Sequence, residues 1–121
     1  MGRAAARAKW HEHERALADF NEAIALQPER AWAYVERGLV YEEAGDYRQA
    51  LDDFEQAIVR DRREEKRFVN TARLHKAQIH ERLGKWAEAL AAYRELVLIT
   101  PRRHLERERI EARIRELEGR P

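Results

Sequence analysis

The sequence predicts an all-α protein, and three observations lead to that prediction. Glycine and proline are rare, at five and three residues of 121, and the segments between them are rich in good helix formers such as Ala, Glu, Leu and Arg. No segment alternates apolar and polar residues as a half-buried strand would. One apolar phrase occurs three times at helical spacing, which indicates a repeated helical unit.

The repeated phrase is clearest in the middle of the chain, where residues 45–58 read GDYRQALDDFEQAI. Its other copies are HEHERALADFNEAI at residues 11–24 and GKWAEALAAYRELV at residues 84–97. In each copy a small Ala precedes an aromatic residue by four positions, so both lie on one helix face. These pairs are Ala16 and Phe20, Ala50 and Phe54, and Ala89 and Tyr93. We expect each phrase to begin a helix just after a Gly turn, or after a turn at His11 in the first copy.

A second helix is predicted in front of two of the phrases. The segment RAWAYVERGLVYEEA places Tyr34 and Gly38 on one face and ends at Gly45, which suits the left-handed conformation that closes helices. The segment NTARLHKAQIHERL places His80 similarly and ends at Gly84. The unit is therefore a helix, a Gly turn and a second helix. It recurs after 34 residues (11 to 45) and then after 39 (45 to 84).

These units resemble the tetratricopeptide repeat family, a helix–turn–helix repeat of 34 residues. The residues that carry the resemblance in the middle copy are Tyr34, Gly38, Tyr41, Gly45, Asp46, Tyr47, Ala50 and Phe54. Those in the outer copies are Ala16, Phe20 and Pro28, and then Ala77, Gly84, Trp86, Ala89, Tyr93 and Pro101. The resemblance implies a right-handed superhelical stack of antiparallel helical hairpins, an α-solenoid.

On this basis the chain is one domain of about two and two-thirds repeats with a capping helix. The expected bounds are 1–28 for a partial first repeat, 31–62 for the second, 64–101 for the third and 102–118 for the cap. The first repeat is called partial because MGRAAARAKW has no large apolar residue before Trp10, and it carries Arg3, Ala4 and Arg7 where the family has Leu, Gly and Tyr. The last helix is called a cap because Ile110, Ile114 and Leu117 form one narrow stripe on a charged helix.

Five extra residues separate the second and third phrases, around DRREEKRF. Asp61 and Glu64 have the spacing of a capping box, so the next helix would begin about one turn early. The alternative is that the preceding helix continues further. The sequence leaves both open.

Composition argues against several classes of function. The net charge of +1 comes from interleaved signs, without the one-sided basic face that nucleic acid would need. No apolar run is long enough to span a membrane, no secretory signal is recognisable and cysteine is absent. We therefore expect a cytoplasmic protein that binds neither nucleic acid nor membrane.

No residue pattern predicts catalysis, a cofactor or a metal. His11 and His13 form an HEH motif, but their spacing suits a strand or loop better than a helix, and we interpret them as turn and core substitutes. His80 occupies a core Tyr position of the family. The acidic pairs Glu42–Glu43 and Asp52–Asp53 are interpreted as solvated charges.

The predicted function is a non-enzymatic scaffold that binds a protein or peptide in a concave, partly apolar groove. By resemblance to the family, the groove residues are Trp32, Val35, Leu39, Glu42, Glu43, Thr71, Leu74, Gln78 and Arg82. An alternative for the stripe of Trp32, Val35 and Leu39 is packing within the array. The alternative function is structural self-assembly, a homo-oligomer formed through the N-terminal end or the groove.

Overall fold

The computed structural model describes residues 2–60, 66–100 and 105–119, with side chains for residues 9–60, 67–100 and 106–119. Its six helices are α1 (Gly2–Leu26), α2 (Ala31–Glu43), α3 (Tyr47–Arg60), α4 (Lys66–Arg82), α5 (Trp86–Ile99) and α6 (Leu105–Glu118). No strand occurs within those ranges, and the predicted all-α fold is confirmed. The chain divides into two compact units, residues 1–69 and 70–121, and each is described by itself. The predicted capping box at Asp61 and Glu64 lies outside the described residues.

Two glycine turns end α2 and α4 as the sequence predicts. Gly45 and Gly84 have φ values of 84° and 74°, and a Cβ at either position would meet nothing within 4 Å. The glycines are therefore needed for backbone conformation rather than for space. In the first turn the amide of Asp46 donates to the carbonyl of Tyr41 at 2.9 Å, which closes the last turn of α2.

The first phrase departs from the prediction, because α1 has no turn at His11. The helix runs unbroken from Gly2 to Leu26, whereas the sequence predicted that a helix begins after a turn at His11. The physical reason lies in the sequence itself. His11 occupies the position of Gly45 and Gly84, and a left-handed backbone is unfavourable for a residue with a Cβ.

Unit 1 is built around the contact of α2 with α3. Phe54 is fully buried, and its ring lies against Gly38 so closely that a Cβ there would approach it to 2.7 Å. Helix α1 packs antiparallel on α2, with Phe20 against Trp32 at one end and Lys9 against Glu43 at the other. Phe20 and Trp32 meet edge to face at 6.2 Å between ring centroids.

Unit 2 has its own apolar core, formed between α4, α5 and α6. The buried side chains in it are Ala77, Ala89, Tyr93, Leu96, Ile110 and Leu117, and Ile114 packs against them. The narrow apolar stripe predicted for α6 is thus the surface that contacts α5. The outward side of α6 carries exposed charged residues such as Glu106 and Arg109, so α6 closes this unit with a polar face.

Candidate functional site

The predicted binding residues of unit 1 lie along α2, but they are not equally accessible. Trp32 and Leu39 are half-buried, and they lie two turns apart on the same side of the helix. Val35 is fully buried. Its predicted place in an open groove is therefore corrected, because a side chain with no exposed surface cannot touch a partner. We call Trp32, Leu39, Glu42 and Glu43 the α2 surface.

The C-terminal end of the α2 surface is acidic and is held in place by α1. The Lys9 ammonium lies 2.6 Å from a Glu43 carboxylate oxygen, and His13 Nε2 lies 3.6 Å from the other oxygen. The hydrogen bond to Lys9 lowers the pKa of Glu43 and raises that of Lys9. The ion pair therefore favours the charged form of Glu43, which lies beside the half-buried Glu42.

The predicted binding residues of unit 2 lie on α4. Thr71, Leu74 and Gln78 are half-buried and Arg82 is exposed. Leu74 packs against the core of its unit, so only part of its side chain is open to a partner. These four residues line one side of α4 as far as its last residue, and their role in binding remains a prediction.

A buried ion pair in unit 1 corrects the interpretation of Asp53 as a solvated charge. Asp53 is 3% exposed and accepts two hydrogen bonds from Arg37, from Nε at 2.8 Å and from Nη2 at 2.6 Å. Arg37 also donates to Asn21 on α1 at 2.7 Å, so one guanidinium joins three helices. Burial raises the pKa of Asp53 against the opposing effect of Arg37, and the hydrogen bonds to Asp53 raise the pKa of Arg37.

The signal for this ion pair was present in the sequence. Arg37 stands on the core side of α2, and a buried guanidinium needs an acidic partner. Of the two adjacent aspartates, Asp53 precedes Phe54 and shares its buried side of α3. Its neighbour Asp52 is exposed, as predicted.

A second polar network joins the helices of unit 2. Arg113 on α6 donates to both carboxylate oxygens of Glu81, from Nε at 2.7 Å and from Nη2 at 2.5 Å, and it also pairs with Glu116. The hydrogen bonds to Glu81 raise the pKa of Arg113. Burial, with the nearby Glu81 carboxylate, raises the pKa of Tyr93 to about 12. This network is structural, because it connects packed helices.

The HEH motif lies in the middle of α1 and its two imidazoles have different neighbours. His11 lies 3.7 Å from Glu14 on its own helix, whereas His13 faces Glu43 of α2. Nowhere in the described residues do three His, Cys, Asp or Glu side chains form a group that could hold a metal ion. Among the helices as described, none has the length and apolar character needed to cross a membrane.

Comparison with known proteins identifies the repeat. A tetratricopeptide repeat model matches residues 35–103, and a second TPR repeat model matches residues 12–45. A TPR domain of Arabidopsis OM64 superposes with a TM-score of 0.70 at 25% identity, covering 93% of this chain and 88% of that one. The type III secretion translocator chaperone SycD of Yersinia enterocolitica gives 0.70 at 18% identity, covering 97% and 79%, which shows the fold alone. A search of curated proteins finds no match. Since the first model spans more than half of the sequence, the chain belongs to the tetratricopeptide repeat family.

Proposed function

We propose that this protein is a non-enzymatic interaction module that binds a peptide or helix on the α2 surface. The observation that supports this most strongly is the half-exposed Trp32, a large apolar side chain on the helix that forms the centre of unit 1. Tetratricopeptide repeat domains are in general non-catalytic modules for protein interaction, so protein partners are expected for this chain too.

The surroundings of Trp32 suit a binding surface because they hold its ring in one orientation. Phe20 meets the ring edge to face at an interplanar angle of 78°, and the buried Val35 lies one turn further along the helix. A side chain that is already ordered loses little entropy when a partner covers it. Tryptophan is also enriched among the residues that contribute most to binding energy.

The α2 surface also indicates the chemistry of its partner. Trp32 and Leu39 are seven residues apart, or about 10 Å along a helix axis. The ionised Glu43 lies beyond Leu39, next to Glu42. We therefore propose a partner segment with two apolar side chains at this spacing and a Lys or Arg beyond the second. The α4 residues Thr71, Leu74, Gln78 and Arg82 are proposed as a further binding surface in unit 2.

The test uses peptides selected by the wild-type protein from a displayed random library, with affinities measured by fluorescence titration. Trp32→Glu places a charge in the contact and should weaken binding about tenfold or more, while circular dichroism stays unchanged. Leu26→Glu is the matched control, because Leu26 lies in the same unit, is 75% exposed and is not part of the α2 surface. The proposal fails if the peptides bind Trp32→Glu as tightly as wild type.

Self-association is a second candidate function, and a specific observation favours it. The apolar face of α1 is less completely buried than the matching faces of α3 and α5. This half-buried face lies on α1 and shares no residue with the α2 surface.

A further inference from the structure

Four positions of the repeated phrase carry the same residue types in α1 and α3 but are buried to different extents. In α3 all four are buried, and they are Ala50, Asp53, Phe54 and Ala57. In α1, 34 residues earlier in the sequence, they are Ala16, Asp19, Phe20 and Ala23. The two alanines and the phenylalanine of α1 are half-buried, and the aspartate is exposed. We call these four residues of α1 the α1 face.

The structure shows what covers the matching positions of α3. Helix α2 packs on them with Gly38 against the ring of Phe54, where even one Cβ would come to 2.7 Å. Arg37, the residue before that glycine, donates two hydrogen bonds to Asp53, at 2.8 and 2.6 Å. The aspartate can be buried because the covering helix supplies a guanidinium next to the small residue that lets it approach closely.

Helix α2 contacts α1 on a different side. It reaches Asn21, which accepts a hydrogen bond from Arg37 at 2.7 Å. Since a helix turns by about 100° per residue, the two alanines and the aspartate of the α1 face lie about 140–160° around the axis from Asn21. Phe20 lies between the two sides, and its edge-to-face contact with Trp32 leaves its ring half-buried. The α1 face is therefore still partly open after α2 has packed on α1.

The charges beside the α1 face indicate what kind of partner fits it. Asp19 is exposed next to Phe20, and the exposed Glu12 lies two turns earlier on the same side of the helix. A covering helix that followed the pattern of α2 would place a cation at Asp19, as Arg37 does at Asp53. Two copies of this chain that met symmetrically through the α1 face would instead bring the same carboxylates together, which is unfavourable. The charges therefore favour a basic helix over a second copy.

We propose that the α1 face binds an α-helix of another protein, which presents a Gly or Ala to Phe20 and, immediately before it, an Arg or Lys to Asp19. Ala is included because Ala77 of α4 is buried in the same core as Tyr93, the aromatic residue of the third phrase. A further basic residue about two turns along the bound helix would lie near Glu12.

Binding at the α1 face goes beyond the proposed function, because this face shares no residue with the α2 surface. A peptide that needs the α2 surface and a helix that needs the α1 face respond to different substitutions, so either interaction can fail alone. Self-association through the α1 face is the alternative, and it is an outcome of the same set of experiments.

The test uses helical peptides selected from a displayed library of amphipathic helices. Selection by the wild-type protein and then by Leu39→Glu keeps peptides that do not need the α2 surface, since Leu39 belongs to that surface and is half-buried on α2. The retained peptides should share an Arg or Lys immediately before a Gly or Ala. A library that yields no such peptides overturns the proposal.

A charge exchange tests whether Asp19 touches the bound helix. Asp19→Arg puts like charges together and should weaken peptide binding in calorimetry about tenfold or more. Replacing the basic residue of the peptide by Asp should weaken binding to wild type and restore binding to Asp19→Arg. Asp52→Arg is the matched control with unchanged affinity, because Asp52 is an exposed aspartate on α3 of the same unit. Equal affinities of the two variants, or no rescue by the exchanged peptide, would overturn the proposal.

Ala16→Leu tests whether the bound helix approaches α1 closely. The larger side chain should weaken peptide binding about tenfold or more without changing the circular dichroism, because Ala16 is only half-buried. Ala18→Leu is the matched control, since Ala18 is exposed on the same helix outside the α1 face. Equal binding by these two variants would place the peptide elsewhere and contradict the proposal.

Sedimentation equilibrium of the wild-type protein decides between a partner helix and a second copy. We expect a monomer up to about 100 μM in the absence of peptide. A dimer that Ala16→Leu dissociates and Ala18→Leu does not would show that a second copy covers the α1 face, and this result would overturn the proposal.

Discussion

Replacing Phe54 by Ala should remove a large part of the stability of this protein. The ring is fully buried against Gly38, and an aromatic side chain buries about 150–250 Å² on folding. At about 25 cal/mol per Å² that burial is worth about 4–6 kcal/mol. Ala keeps part of the area and a cavity remains, so the expected loss is about 3–5 kcal/mol. The total stability of a domain is about 5–15 kcal/mol.

The assay is urea unfolding followed by circular dichroism. Val59→Ala is the matched control, because Val59 lies on the same helix and is 68% exposed. It should change the free energy of unfolding by about 0.5 kcal/mol or less. A loss in Phe54→Ala of the same size as in the control would refute the packing of α3 on α2 and the repeat register drawn from it.

Two further predictions concern histidines. Partial burial, with Lys76 and Lys85 nearby, holds the pKa of His80 below its usual 6.5. The unfolded state therefore binds a proton at this histidine more readily than the folded state does. The free energy of unfolding should fall as the pH falls through 6.5. The urea midpoint should fall more between about pH 7.5 and pH 5 in wild type than in His80→Tyr, and equal falls would contradict this. His11 and His13 point to different sides of α1, so calorimetry should detect no stoichiometric, submicromolar Zn²⁺ binding; such binding, if abolished in His11→Ala/His13→Ala, would show this to be wrong.

The fold could be predicted because the strongest sequence signals are local. The Ala and aromatic residue of each phrase set the buried face, and two glycines set the turns by their backbone conformation. Both kinds of signal act within one or two helical turns. That is why Phe54, Gly38, Gly45 and Gly84 were placed correctly from the sequence alone.

Pairings between helices were harder to predict. Arg37 and Asp53 are 16 residues apart in the sequence. Neither residue alone indicates a buried ion pair, because the pairing depends on both side chains lying on the inner sides of neighbouring helices. Val35 was assigned to the open surface for a related reason. Periodicity shows that a residue lies on an apolar side of α2, but it does not show whether another element covers that side.

The unbroken α1 links the missing turn to the open face. In the second and third copies a glycine reverses the chain, and the helix before the phrase can return across the phrase's buried face. In the first copy His11 stands in place of the glycine, and the chain does not reverse there. The residues before His11 therefore continue along the axis of α1. The phrase in α1 therefore has the residue types of a buried face, but these side chains are only half-buried: Ala16, Phe20 and Ala23. The histidine at the turn position thus accounts both for the unbroken α1 and for the half-buried state of these three side chains.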